Sequence, residues 1–343
     1  MYGQEAEWSG KISNHCQLGG IETSILDNGA GKGVRIAWVD TGSGLRFKVV
    51  LDRGMDIAEA FYNKHSLAWI SHAGVTSPDQ SVTSGTNWSN GFGGGLLTTC
   101  GLTHTGDPER DEYGQRGTHD RISHISAMVE SIVLPDLKKG DLRMSITGRM
   151  CQYTMFGPQL ELKRTISAVL GTSKIIIEDE VTNLGNESVP HMLLYHFNFG
   201  WPLIEEGTEI SATGEWKSRG RDADDAIFNC NNDYKKCKAP NDAHNGNGES
   251  VAFIDIKPEP SGICECAISN HNIPLQVKLQ FKKEQLPWLT NWQHWGRNEY
   301  VIGLEPGTHP PVGQSTARQD QTLLFIRPRE TLAYETVLEV SPE

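Results

Sequence analysis

The chain has 343 residues, room for one large β domain or two ordinary ones, and it can bury a core without metal or disulfides. Its formal net charge of -12 argues against nucleic acid, whose phosphates call for a basic surface. No stretch approaches the ~20 apolar residues of a membrane helix, and the polar start MYGQEAEWSGK points to neither a signal peptide nor an anchor. Seven cysteines, at positions 16, 100, 151, 230, 237, 264 and 266, contain no CxxC and are expected as reduced thiols of a cytoplasmic protein.

Short alternating runs recur along the chain. Val34, Ile36 and Trp38 alternate with Arg35 and Ala37, and Phe47, Val49 and Leu51 follow the turn TGSG. Leu142, Met144 and Ile146 alternate with polar residues after a KKGD turn. Leu160, Leu162, Ile166 and Ala168 share one parity with Arg164. Leu275, Val277, Leu279 and Phe281 alternate most cleanly, against Gln276, Lys278, Gln280 and Lys282. Period two predicts strands with one buried and one wet face. Helical spacing is almost absent, so strand follows strand and the chain reads as all-β, an antiparallel sandwich or barrel. Residues 217–249, dense in Asn, Asp, Gly and Lys, are expected as a polar surface insertion or flap within one domain spanning 1–343.

Four segments carry residues suited to chemistry. LDRGMDI at 51–57 places Arg53, a planar fork of donors, near Asp56, with which it could instead form a structural ion pair. The stretch from Phe92 to Ser123 is rich in glycine, which lets backbone approach a ligand, and holds His104, Arg121 and His119 in tight loops. PHMLLYHFNFGWP at 190–202 reads as a buried strand in which His196 sits among aromatics, with Asn198 and Trp201 close behind. Glu305 ends the apolar run Val301–Leu304, and a carboxylate there is costly to bury unless it is paired or used. His119 and His124 are five apart, as are His191 and His196. An odd separation puts two side chains on opposite faces of a regular strand, so no metal site is expected.

Taken together and in order, RGMDI, GGLLTTCGLTHTG, GTHDRIS, LLYHFNFGWPL, GLEPG and RPRETLAYE resemble the galactose-mutarotase-like superfamily, in its branch related to aldose 1-epimerases. The resemblance implies a large twisted antiparallel β-sandwich with an open cleft on one sheet. It implies a sugar contact at His119, a catalytic acid at His196 and a catalytic base at Glu305. Arg53, His104, Arg121, Asn198 and Trp201 are then expected as further sugar contacts. This chain has Asp120 where the superfamily's His-Gly segment has glycine. His191 stays open as the alternative acid.

The implied activity is interconversion of sugar anomers without a cofactor. Glu305, ionised, would take the C1 hydroxyl proton while His196, protonated, gives one to the ring oxygen. An epimerase or lyase acting on an oxidised or acidic sugar and a non-catalytic sugar-binding protein are the alternatives. A neutral sugar or uronate is expected more readily than a phosphosugar, because no glycine-rich loop enters a helix N-terminus. Oligomeric state is not legible.

Overall fold

The computed structural model describes residues 5–6, 9–231, 233–246 and 248–342. Strand accounts for 48% of it and helix for 9%, so the all-β expectation holds. Helix is confined to short pieces such as Asp222–Asp225 and Gln314–Gln319.

Among the described residues the larger sheet has twelve strands, ten on one path and two, His65–Ser66 and Leu324–Ile326, off it. Its path runs Gly20–Ile25, Arg35–Asp40, Leu45–Val50, Asp56–Tyr62, Leu97–Leu102, Val189–Gly200, Glu299–Gly307, Trp288–Gly296, Ser250–Ile256 and Gly214–Ser218. The eight-stranded sheet runs Glu209–Ala212, Ile263–Asn270, Leu275–Lys282, Thr331–Pro342, Lys174–Asn183, Gln159–Val169, Arg143–Tyr153 and Met128–Val133. Neighbours pair antiparallel in both. One apolar core joins the two inner faces, with Phe47, Tyr195, Phe197 and Leu304 from the larger sheet against Met144, Leu162, Ile177 and Leu279 from the smaller.

The strand parities mostly follow the sequence. Leu275–Lys282 alternates buried and half-buried at every position, and Gln159–Val169 does nearly the same. Arg164 keeps the inward parity predicted for it, fully buried between the sheets. Its guanidinium donates to both oxygens of Asp179 at 2.8 and 2.6 Å, to Asp56 Oδ1 at 3.2 Å and to Thr99 Oγ1 at 2.8 Å. A buried charge survives there because each guanidinium nitrogen finds an acceptor. Arg35–Asp40 departs from expectation. Ala37 and Val39 face the main core, while Val34 and Ile36 pack with Val50 in a separate cluster on the other face. Period two cannot say which face is inner when both are covered.

Residues 217–249 are mostly exposed or half-buried and hold a few apolar anchors. Ile227, Phe228, Tyr234 and Cys237 belong to the main core, and Trp216, Phe228 and Tyr234 pack ring against ring. Polar composition concealed those few apolar anchors. All seven cysteines are unpaired. Among the described residues, no helix is long and apolar enough to cross a membrane.

Candidate active site

The strand Val189–Gly200 lies mid-sheet and is buried along almost its whole length. Tyr195 and Phe197 point into the core, so period two turns His196 to the outer face. The ladder pairs Leu194 with Gly307 and Phe197 with Leu304, a register that sets His196 opposite Glu305. On its other side His196 pairs with Thr98, and beyond Glu305 comes Thr290. A polar row therefore crosses four adjacent strands in the order Thr98, His196, Glu305, Thr290.

His196 Nε2 lies 3.3 Å from Glu305 Oε1. Both residues are almost enclosed, at 6% and 2% exposure. Gly303 makes room for the carboxylate: a Cβ there would fall 2.2 Å from Glu305 Oε1. The ring of His196 is walled by aromatics. Phe92 and Trp292 stand with their centroids 5.3 Å away, and His119 at 6.1 Å. Trp88 packs on Phe92 and on His119, carried by the short 3-10 turn Asn87–Gly91. Trp88, Phe92, Val82, Cys100 and Leu194 form a small apolar cluster over the sheet.

Electrostatics bear on the expected protonation states. Burial pushes the Glu305 carboxyl well above its ordinary value, and the Glu249 charge adds to this. Burial lowers His196 to about 4. Both shifts disfavour the charged form of each group, and so run against the ionised Glu305 beside a protonated His196 expected from the sequence. Glu305 Oε1 and His196 Nδ1 have no hydrogen-bond partner.

The remaining expected residues divide. His119 joins the site wall, in a left-handed backbone conformation at φ 54°, with Nδ1 accepting from the Gly106 amide at 3.2 Å. Burial holds it well below its ordinary pKa, with His196 contributing. Arg53 is a loop clamp in this structure. Its N–H groups go to Ser123 O, Thr76 O, Thr76 Oγ1 and Gly91 O at 2.6, 3.2, 2.6 and 2.9 Å, and a fifth faces His124 Nε2. The ion pair with Asp56 goes to Arg164 instead. His104 has no exposed surface and its Nε2 meets the Asp107 carbonyl at 2.9 Å, which braces its own loop. Asn198 lies beside the pair but is fully buried, donating to Gly95 O and His196 O. Arg121 donates to the Tyr153 carbonyl, and Trp201 stands 69% exposed, without a ring contact to His196.

His191 lies on the opposite face from His196, as the odd separation requires. It is fully buried, with Nδ1 at the Leu102 carbonyl and Nε2 at Tyr334 Oη, so it is not placed to face Glu305. Among the described residues, no group of three or more His, Cys, Asp or Glu could hold a metal ion. Phe92, Trp88, Trp292, Thr290 and Glu249 went unassigned in the sequence. Glu249 accepts from Trp292 Nε1 at 2.7 Å and so ties residues 217–249 to the site wall. Only the alternation of Thr290, Trp292 and His294 with inward Leu289 hinted that they share the face of Glu305.

A family model described as domain of unknown function (DUF4432) matches residues 31–340. No curated protein matches the chain. Among solved structures, a candidate aldose 1-epimerase from Klebsiella pneumoniae subsp. pneumoniae MGH 78578 superposes with a TM-score of 0.85 at 21% identity, over 95% of this chain and 86% of that one. A galactose mutarotase-like protein from Clostridium acetobutylicum gives 0.64 at 12% identity, covering 94% and 98%. Galactose 1-epimerase from Lactobacillus acidophilus NCFM gives 0.61 at 11%, covering 94% and 98%. At these identities the likeness establishes the fold, a galactose-mutarotase-like sandwich.

Proposed function

The chain belongs to the DUF4432 family, and from that premise and its mutarotase-like fold we propose that it is a carbohydrate isomerase, an aldose 1-epimerase acting through Glu305 and His196. The observation that carries this is the 3.3 Å approach of His196 Nε2 to Glu305 Oε1. The C1 hydroxyl and the ring oxygen of a pyranose hang on the same carbon, so a base for one and an acid for the other must stand side by side. Adjacent strands supply that spacing, and the aromatic walls exclude water and suit the C–H faces of a sugar.

One proton serves the pair. With Glu305 ionised and His196 protonated, Glu305 takes the proton from the C1 hydroxyl, the C1–O5 bond breaks, and its electrons go to O5, which takes the proton from His196. C1 becomes an aldehyde carbon, rotates about C1–C2, and the steps reverse on closure. Ring opening leaves a carboxylic acid and a neutral imidazole, the uncharged forms that burial favours. On closure His196 takes the proton back from O5 and Glu305 returns one to the new C1 hydroxyl, which restores the starting pair. Arg53 has its donors on protein acceptors and Arg318 stacks on Tyr113 at 3.9 Å, which favours a neutral sugar over an anionic one. A cytoplasmic setting suits the free thiols.

Exchange spectroscopy of anomers by NMR, over neutral aldoses, uronates and phosphosugars, tests the proposal. Glu305→Gln keeps shape and removes the proton acceptor, and His196→Asn removes the acid. Each is expected to lower the exchange rate by roughly 10²-fold or more with folding preserved, and the double variant to lose less than the product. A Gln variant with full activity refutes the mechanism.

A further inference from the structure

The polar row is asymmetric about the pair. At one end the Thr98 hydroxyl donates to the Gly94 carbonyl at 2.8 Å. At the other, Thr290 is 2% exposed and its Oγ1 has no hydrogen-bond partner. Thr290 pairs directly with Glu305 across the ladder, so the two side chains stand on the same outer face, and inward Leu289 confirms the parity. Glu305 Oε1 lies 3.3 Å from His196 Nε2 but completes no hydrogen bond. Two unsatisfied oxygens on neighbouring strands of an enclosed site call for a ligand with complementary donors and acceptors.

Resting on the reading of His196 and Glu305 as partners of the ring oxygen and the C1 hydroxyl, we infer that Thr290 binds the 2-hydroxyl and makes the enzyme selective for 2-hydroxy aldoses. The order of atoms carries the assignment. Along a pyranose the ring oxygen, C1 and C2 follow one another, and along the sheet His196, Glu305 and Thr290 do the same. Neighbouring strands lie roughly 4.8 Å apart, but His196 Nε2 and Glu305 Oε1 come to 3.3 Å across one such step, a spacing within reach of adjacent sugar substituents. A group held by Glu305 at C1 therefore has its neighbour at C2 facing Thr290, whose free hydroxyl can both donate and accept. Phe253, next in register after Thr290, closes the row with an apolar side chain. A 2-deoxy sugar would leave the buried Thr290 hydroxyl unpaired, and that loss is what a specificity pocket built on a hydrogen bond penalises.

The test compares D-galactose and D-glucose with their 2-deoxy analogues in two ways, anomer exchange by NMR and binding by calorimetric titration. Wild-type protein is expected to favour the 2-hydroxy sugars about tenfold in kcat/KM and in affinity. Thr290→Val, nearly isosteric, should bring both ratios close to one mainly by weakening the 2-hydroxy sugars, and Thr290→Ser should restore them. Discrimination in binding without anomer exchange would overturn the mutarotase reading and leave Thr290 as a 2-hydroxyl contact. Exchange with equal rates for both sugars, or a Val variant that retains the wild-type ratio, would overturn the role of Thr290 and leave the reading intact. Failure of all four sugars to bind would overturn both.

Discussion

Replacing Gly303 by alanine adds one carbon between the proposed acid/base pair and the sheet. The new Cβ would sit 2.2 Å from Glu305 Oε1, where ordinary contact begins at 3.4 Å, so the oxygen must retreat by about 1 Å. Gly303 is not in a left-handed backbone conformation, so alanine is allowed there. The atom that must yield is the far end of a flexible side chain, although Trp292 Cε3 at 3.1 Å is also crowded. Stability should therefore change by only about 1 kcal/mol. Activity should not be spared, because the retreat shifts the oxygen that approaches His196 at 3.3 Å, and a misplacement of that size costs roughly 10²-fold. Anomer exchange by NMR, beside a thermal melt, separates the two effects. In a Glu305→Gln background the same alanine should cost almost nothing further. A Gly303→Ala enzyme that folds normally and turns over within twofold of wild type would refute the placement of Glu305 as a reacting group.

Two further outcomes follow from the charged interior. Asp179→Ala should destabilise the fold by about 3–5 kcal/mol, because it strands the fully buried Arg164 and the Tyr195 hydroxyl that donates to Asp179 at 2.7 Å. Urea denaturation measures this, and a change below about 1 kcal/mol would contradict a buried pair. The second concerns acid. Burial lowers His124 to about 3 and His191 and His196 to about 4, and also lowers His104, His119, His244 and His309. These groups stay neutral when folded and charge when unfolded, so their stability is present above about pH 6.5 and is lost as pH falls toward 4, at roughly 1.4 kcal/mol per pH unit for each. Asp56, raised to about 6, and Glu305 act in the opposite sense, losing stability as pH rises. The histidines outnumber them, so the melting temperature should fall between pH 7 and pH 5. A flat or rising profile would count against a neutral, buried histidine set.

What the sequence determined by itself is what depends on near neighbours. The alternation in Leu275–Lys282, the inward parity of Arg164 and the opposite faces of His191 and His196 all follow from a two-residue repeat. Motif resemblance also singled out His196 and Glu305, which the fold sets 3.3 Å apart. Which strands lie side by side, and in what register, is decided by packing summed over the whole sandwich. Only that register puts Thr98, His196, Glu305 and Thr290 in one row, and places Gly303 under the carboxylate. Only the folded chain shows that Arg53 faces loop carbonyls and that Trp201 turns to solvent, while Phe92, Trp88 and Trp292 wall the site. A side chain's type sets what it can bind, but its partners come from strands far away in the chain, and no local pattern encodes them.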